Sequence, residues 1–214
     1  MIGDKLVITE YHRQGAAQVW QAIEDRAGKE PLGVSIAGES GCGKSETARC
    51  LADKAQEAGL KVVILGQDDY FELPPKTNHK KRQQDISWVG PQEVKLDLLD
   101  DHVALLKTSN KPLEKPLVYF EEDRIDHEIL PAGPYDLVVV EGTYTTLLQQ
   151  VDLRAFIDRN YKQTKKARLT RGRDPDVQFL ENVLAIEHDI ISKHKALADL
   201  VIPPPPEERD SESQ

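Results

Sequence analysis

The run Gly38-Glu39-Ser40-Gly41-Cys42-Gly43-Lys44-Ser45 fits G-x-x-x-x-G-K-[ST], the P-loop pattern, without a mismatch, and no other stretch constrains the fold as tightly. Such a loop functions only between a strand and a helix. Ahead of it, Gly33-Val34-Ser35-Ile36-Ala37 is a short apolar segment with β-branched residues, which predicts a buried strand. Behind it, Ala48, Leu51, Ala52 and Ala55 recur at helical spacing between Glu46 and Ala58. The glycines let the backbone turn tightly and aim its N–H groups at phosphate oxygens, and the helix N-terminus adds its positive dipole end. The expected cradle for a nucleoside triphosphate is Gly38, Glu39, Ser40, Gly41, Cys42, Gly43, Lys44, Ser45 and Glu46. Lys44 would neutralise the β- and γ-phosphates, and the Ser45 hydroxyl would ligate Mg.

A chain of 214 residues suffices for one α/β domain with a full core. Its formal net charge of −9 argues against a general nucleic-acid binder. Cys42 and Cys50, the only cysteines, resemble neither a disulfide framework nor a metal site, which points to a reducing compartment. No apolar run reaches ~18 residues, and Met1-Ile2-Gly3-Asp4-Lys5 lacks a signal-peptide pattern. A cytoplasmic protein with no membrane partner is the expectation.

Residues 1–30 read as an N-terminal extension: a short strand or arm at Leu6 to Thr9, then a helix from Gln14 to Ala27. That helix packs on the core or forms a contact between copies in a homo-oligomer. Residues 31–203 carry the P-loop domain, and the polar, proline-led tail 204–214 is expected to be disordered. Within the domain, Lys61 to Leu65, Leu117 to Phe120, Asp136 to Val140, Ala155 to Ile157 and Leu200 to Ile202 predict further strands. Pro91 to Leu106 and Phe179 to His194 predict long helices, with a shorter one near Thr145 to Gln150. Arg124 to Leu130 predicts a small hairpin or arm. Pro74 to Gly90, with Lys76, His79, Lys80, Lys81 and Arg82, reads as a solvated loop or as a lid for an anionic substrate. The alternation predicts a three-layer α/β fold of P-loop NTPase type, with a mostly parallel five-stranded sheet, a small arm and a lid.

Ligands of such sheets bind beyond the carboxyl ends of the strands. There stand Asp68 and Asp69, suited to take a proton from a hydroxyl or to work around Mg. Glu141 follows the strongest strand and is placed to assist Mg. Arg171 and Arg173 lie in a basic run able to stabilise charge on a transferred phosphoryl group. Asn110-Lys111-Pro112-Leu113 lacks the aspartate with which a guanine-reading switch would recognise its base.

In order and spacing, these pieces resemble the uridine kinase and phosphoribulokinase family of P-loop small-molecule kinases. The resemblance spans roughly Gly33 to Pro203. It rests on the P-loop, Gln67-Asp68-Asp69-Tyr70-Phe71, Pro116 to Arg124, Val140-Glu141-Gly142, Arg171-Gly172-Arg173-Asp174 and Ala198 to Pro203. It implies ATP as donor, with Mg held by Ser45 and Glu141. It also implies Asp68 as general base, with Lys44, Arg171 and Arg173 as its catalytic companions. Asp68, Tyr70, Trp88, Tyr119, Arg124 and Lys166 are the expected acceptor-binding set, and Ala198 to Pro203 would border the adenine. Val89 stands where nucleoside-phosphorylating members carry an aspartate that grips the sugar hydroxyls, and a valine cannot accept a hydrogen bond. Asp123 replaces the family's histidine before Arg124. A nucleoside is the first expectation for the acceptor, a sugar or sugar phosphate the second, and a non-catalytic nucleotide-binding regulator the third.

Overall fold

The computed structural model describes residues 6–165, 168 and 177–209. Strands β1 (Leu32–Gly38), β2 (Val62–Gly66), β5 (Leu137–Gly142), β6 (Leu153–Ile157) and β7 (Leu200–Ile202) form one parallel sheet in the order β2-β5-β1-β6-β7. This is the predicted five-stranded sheet. Side chains alternate faces along a strand, so β5 feeds two cores. Leu137 and Val139 pack with Ala16, Val19 and Ile23 of α1 (Glu10–Ile23) and Leu51 and Ala55 of α2 (Lys44–Glu57). Val138 and Val140 pack with Leu99, Val103 and Leu106 of α4 (Leu96–Thr108) on the other face. Both faces are covered, which is why β1 and β5 are apolar almost throughout. Among the described residues, no helix is long and apolar enough to cross a membrane.

The stretch Arg124 to Leu130, expected to form a hairpin or arm by itself, is a single strand, β4 (Arg124–Leu130), of an antiparallel hairpin with β3 (Leu113–Tyr119), paired from Leu113↔Leu130 to Tyr119↔Arg124. Its turn ends at Asp123, whose φ of 49° is rare for a side-chain-bearing residue. That carboxylate accepts from the Lys76 N–H at 2.6 Å, the Thr77 N–H at 3.1 Å and the Thr77 hydroxyl at 2.7 Å. It thereby caps a helix whose first turn lies 46 and 47 residues away in sequence.

That helix corrects the reading of Pro74 to Gly90 as an irregular, solvated loop: Pro75–Gln84 is α3. It has no apolar stripe for periodicity to reveal. Pro75 starts it, Asp123 caps it, and Lys81 and Arg82 sit favourably at its carboxyl end. A buried polar cluster then fixes it in place. Glu93 is fully buried and accepts from Asn78 Nδ2 at 2.6 Å, Arg82 Nε at 2.6 Å, Arg82 Nη2 at 2.9 Å and the Gly90 N–H at 2.8 Å. Arg82 Nη2 also reaches Glu187 at 3.1 Å on α5 (Val177–Ile191).

Other boundaries shift for local reasons. Thr9 caps α1 from a non-helical backbone, so the helix begins at Glu10 and residues 6–9 form no strand. The helix expected over Pro91 to Leu106 is a 3₁₀ turn at Pro91–Glu93 followed by α4, because Glu93 folds back onto the Gly90 N–H. Only Thr145–Leu147 is helical in the stretch after β5. In the tail expected to be disordered, Pro206–Arg209 forms a helical turn, and Glu208 pairs with Arg159 at 2.6 Å.

Glu93→Ala would leave a buried guanidinium and amide short of an acceptor. A loss of about 3–5 kcal/mol in urea unfolding is expected. An unchanged midpoint would show that the cluster does not hold α3.

Candidate active site

The sheet's carboxyl edge brings the P-loop, Asp68 and Glu141 together. In register, Glu141 lies opposite Ile36 on β1 and Gly66 on β2, so the ends of β1 and β2 flank it. The P-loop leaves β1 through Gly38, where an added Cβ would lie 2.7 Å from Cys42 Sγ and 2.8 Å from the Ile157 carbonyl. Gly43 closes the loop at φ 101° and Lys44 opens α2. The Lys44 ammonium donates to the Glu39 carbonyl at 2.9 Å, curled back over its own loop. The Ser45 hydroxyl favours the ionised form of the Glu141 carboxylate. Burial, and then the charge of Asp68, push the Glu141 carboxyl up to about 7, opposed by Lys44 and Ser45. The loops after β2 and β5 are joined by Gln67, whose Oε1 accepts from the Tyr144 N–H at 2.7 Å. A side chain at Gly142 would collide with Gln67.

The adjacent aspartates part company. Asp68 is exposed on the Glu141 side, as its charge on that carboxyl requires. Asp69 is buried, held by Lys115 Nζ at 2.8 Å and the Val118 N–H at 3.0 Å. Lys115 also reaches Glu128 at 2.7 Å, so Asp69 anchors both strands of the arm. The arm is thus secured one residue from Asp68.

Of the expected acceptor residues, Tyr70 is corrected: it is fully buried, and its hydroxyl meets His102 Nδ1 at 2.8 Å. Trp88 is half-buried, with its indole N–H on Asn78 Oδ1 at 2.8 Å. Tyr119 carries the Arg124 guanidinium 4.3 Å above its ring, and Arg124 also pairs with Glu122 and Asp126. Both sit out on the arm. Glu46, expected in the cradle, is buried along α2, and burial pushes the Cys42 thiol up. Lys166, Arg171 and Arg173 lie outside the described residues.

Sequence reasoning passed over the groups that brace the loop. Glu39 Oε1 lies 2.7 Å from His188 Nδ1, and Oε2 accepts from the Tyr161 N–H at 2.7 Å. Thr164 donates to the Ser40 carbonyl at 2.9 Å, and Arg159 to the Cys42 carbonyl at 3.3 Å. Arg168 stacks its stem against Gly41 and donates to Thr164 Oγ1 at 2.6 Å. The strand-end rule could have nominated Asp158 to Asn160, which directly follow β6. His188 has no local signal, being one of several polar residues on an amphipathic helix. Beside this brace lies a pocket of about 430 Å³, lined by Glu39, Asp158, Asn160, Gln163, His188 and Pro204 among others.

The residues fit a magnesium ion in one respect. Ser45, Glu141 and Asp68 are hard oxygen donors, and the raised carboxyl lacks enough positive charge of its own. Among the described residues no group of three or more His, Cys, Asp or Glu could hold a metal alone. Mg bound through one or two carboxylates and substrate phosphates needs no such group.

The family model for phosphoribulokinase and uridine kinase matches residues 34–207. The uridine kinase of Latilactobacillus sakei subsp. sakei (strain 23K) is 26% identical over 187 residues, covering 82% of this chain and 86% of that protein. Among solved structures, one described as a possible uridine kinase from Bacillus stearothermophilus superposes with a TM-score of 0.61 at 18% identity, over 88% of this chain and 97% of that one. The phosphoribulokinase from Rhodobacter spheroides gives a TM-score of 0.58 at 13% identity, over 81% and 69%. At these identities the structural likenesses speak to fold.

The two aspartates should separate experimentally. Asp69→Asn is expected to cost about 3 kcal/mol in urea unfolding by stranding buried Lys115, and Asp68→Asn no more than about 0.5 kcal/mol. Equal effects would contradict the division. Glu141 binds a proton in the folded chain that the unfolded chain has released, so stability falls as pH rises from about 4.5 to about 7. In nucleotide-free protein, Glu141→Gln should therefore raise the melting temperature by a few degrees at about pH 8. The gain should shrink towards pH 5; a gain independent of pH would refute the raised carboxyl.

Proposed function

The chain belongs to the phosphoribulokinase / uridine kinase family, and from that membership we propose that it is an ATP-dependent kinase whose acceptor is the hydroxyl of a nucleoside. It is a phosphotransferase acting on an alcohol group of a small molecule. The observation that carries the reading is the exposed Asp68 beside Glu141, Ser45 and Lys44 at one edge of the sheet. In this reading the P-loop N–H groups and Lys44 hold and neutralise the triphosphate. Asp68 accepts the proton of the attacking hydroxyl, and its exposure leaves it reachable. Bound Mg, held by Ser45 and Glu141, would neutralise charge on the donor phosphates. Arg171, Arg173 and Lys166 would close over the transferred group and exclude water. The pocket beside Glu39 and Pro204 is offered for the adenine, next to the Ala198 to Pro203 segment.

The cations of the 76–82 segment support a neutral acceptor over an anionic one. Lys76 is engaged by Glu121 at 3.8 Å, Lys81 by Asp85 at 3.8 Å, and Arg82 by Glu93 and Glu187. One observation favours a second reading. Val89 is buried and offers no acceptor to a ribose hydroxyl, which keeps a sugar or sugar phosphate in play.

An ADP-release assay with uridine, cytidine, pentoses and sugar phosphates tests both. Uridine or cytidine turnover is expected. Turnover of a sugar phosphate alone would replace the first reading by the second. Asp68→Asn should lower the rate by about 10²-fold or more with ATP binding retained; full activity would remove Asp68 from its role.

A further inference from the structure

Helix α1 lies ahead of the stretch that the family model matches, residues 34–207, and nothing in the kinase reading uses it. Yet it touches three walls of the donor site. The Thr9 N–H donates to His12 Nδ1 at 3.0 Å, which fixes the orientation of the imidazole. The far edge of that ring meets the P-loop: a Cβ on Gly43 would lie 2.5 Å from His12 Nε2. Gly43, at φ 101°, is the residue from which α2 departs. The imidazole therefore fills the space into which the loop would relax.

Tyr11 takes the other two walls. Its hydroxyl donates to the Pro203 carbonyl at 3.2 Å, just beyond β7, and burial keeps that hydroxyl protonated. Its ring carries the Arg159 guanidinium 5.1 Å from the centroid. Arg159 passes the contact on to the Cys42 carbonyl at 3.3 Å, while Glu208 holds its other nitrogen at 2.6 Å. Arg159 and Pro204 both line the pocket offered for the base. Ala16, Val19 and Ile23, lower on the same helix, belong to the apolar core and make none of these polar contacts. Tyr11 also packs against that core, but packing does not account for its hydroxyl's bond to Pro203 or for the approach of His12 to Gly43.

We propose that α1 is a positioning element of the ATP site, with His12 bracing the P-loop at Gly43 and Tyr11 bracing Arg159 and the Pro203 edge. The inference rests on the ATP reading above. A loop already held in its binding geometry loses less conformational freedom when the triphosphate arrives, so the brace should appear in nucleotide affinity. Its loss should not primarily appear in stability.

Removing α1 would expose the core and fail for an uninteresting reason, so point variants of the full chain are the test. Tyr11→Phe keeps the ring and loses the bond to Pro203. His12→Asn keeps an acceptor for Thr9 and withdraws the ring from Gly43. Val19→Ala damages only the packing face and serves as the control. Each is titrated calorimetrically with Mg and a non-hydrolysable ATP analogue, alongside its melting temperature without nucleotide. Tyr11→Phe and His12→Asn are each expected to weaken the analogue about two- to tenfold with little change in melting temperature. Val19→Ala is expected to melt earlier and to bind as wild type. Affinity that simply follows melting temperature across the three, or unchanged affinity in Tyr11→Phe and His12→Asn, would make α1 a packing helix and overturn the proposal. Failure of the wild-type chain to bind the analogue would overturn the ATP reading itself, and the proposal with it.

Discussion

A carboxylate at the end of a central strand sets the terms for the rest of the site. Glu141 sits on β5, between β1 and β2, and a parallel sheet delivers the ends of all three strands to one edge. The β1 side supplies Lys44 and Ser45, which lower the cost of ionising Glu141, and the β2 side supplies Asp68, which raises it. Two negative groups held this close call for added positive charge. In the proposed reading, a phosphate-bound cation would answer that need.

Polar ties over long sequence distance then set the arm and α3. Asp69 fastens the arm, Asp123 at the arm's turn caps α3, and Glu93 with Arg82 fastens α3 to the Gly90 turn and to Glu187. The Asp69 and Glu93 ties bury charge with a partner, the only economical way to place such groups inside a protein, whereas the Asp123 cap lies near the surface. In the basic segment that looked available for an anionic substrate, Lys76 and Arg82 are taken up by this scaffolding.

Legibility in the sequence followed the range of the interactions. The P-loop was legible because its mechanics are local: glycine geometry, a strand before and a helix after. The strands of the sheet were legible because both faces are buried and the chain spells that out as unbroken apolar runs. Helix α3 was not, since it turns no apolar face to the core and is held by Asp123 and Glu93 instead. Tyr70 looked like a site residue by its neighbours in sequence, but its ring turned into the core to meet His102.

By itself, then, the sequence determined the nucleotide-binding loop, the α/β layering and the family, because motif and periodicity are written in residues next to or a few places from each other. It left Asp68 and Asp69 undivided. Tertiary structure divided them by bringing Lys115 and Val118, nearly fifty residues downstream, onto Asp69 alone. It also set Arg82 against Glu187, 105 residues away, and Glu39 against His188, 149 residues away. No local pattern encodes such pairings, because their energy exists only once the intervening chain has folded and taken the partners out of water.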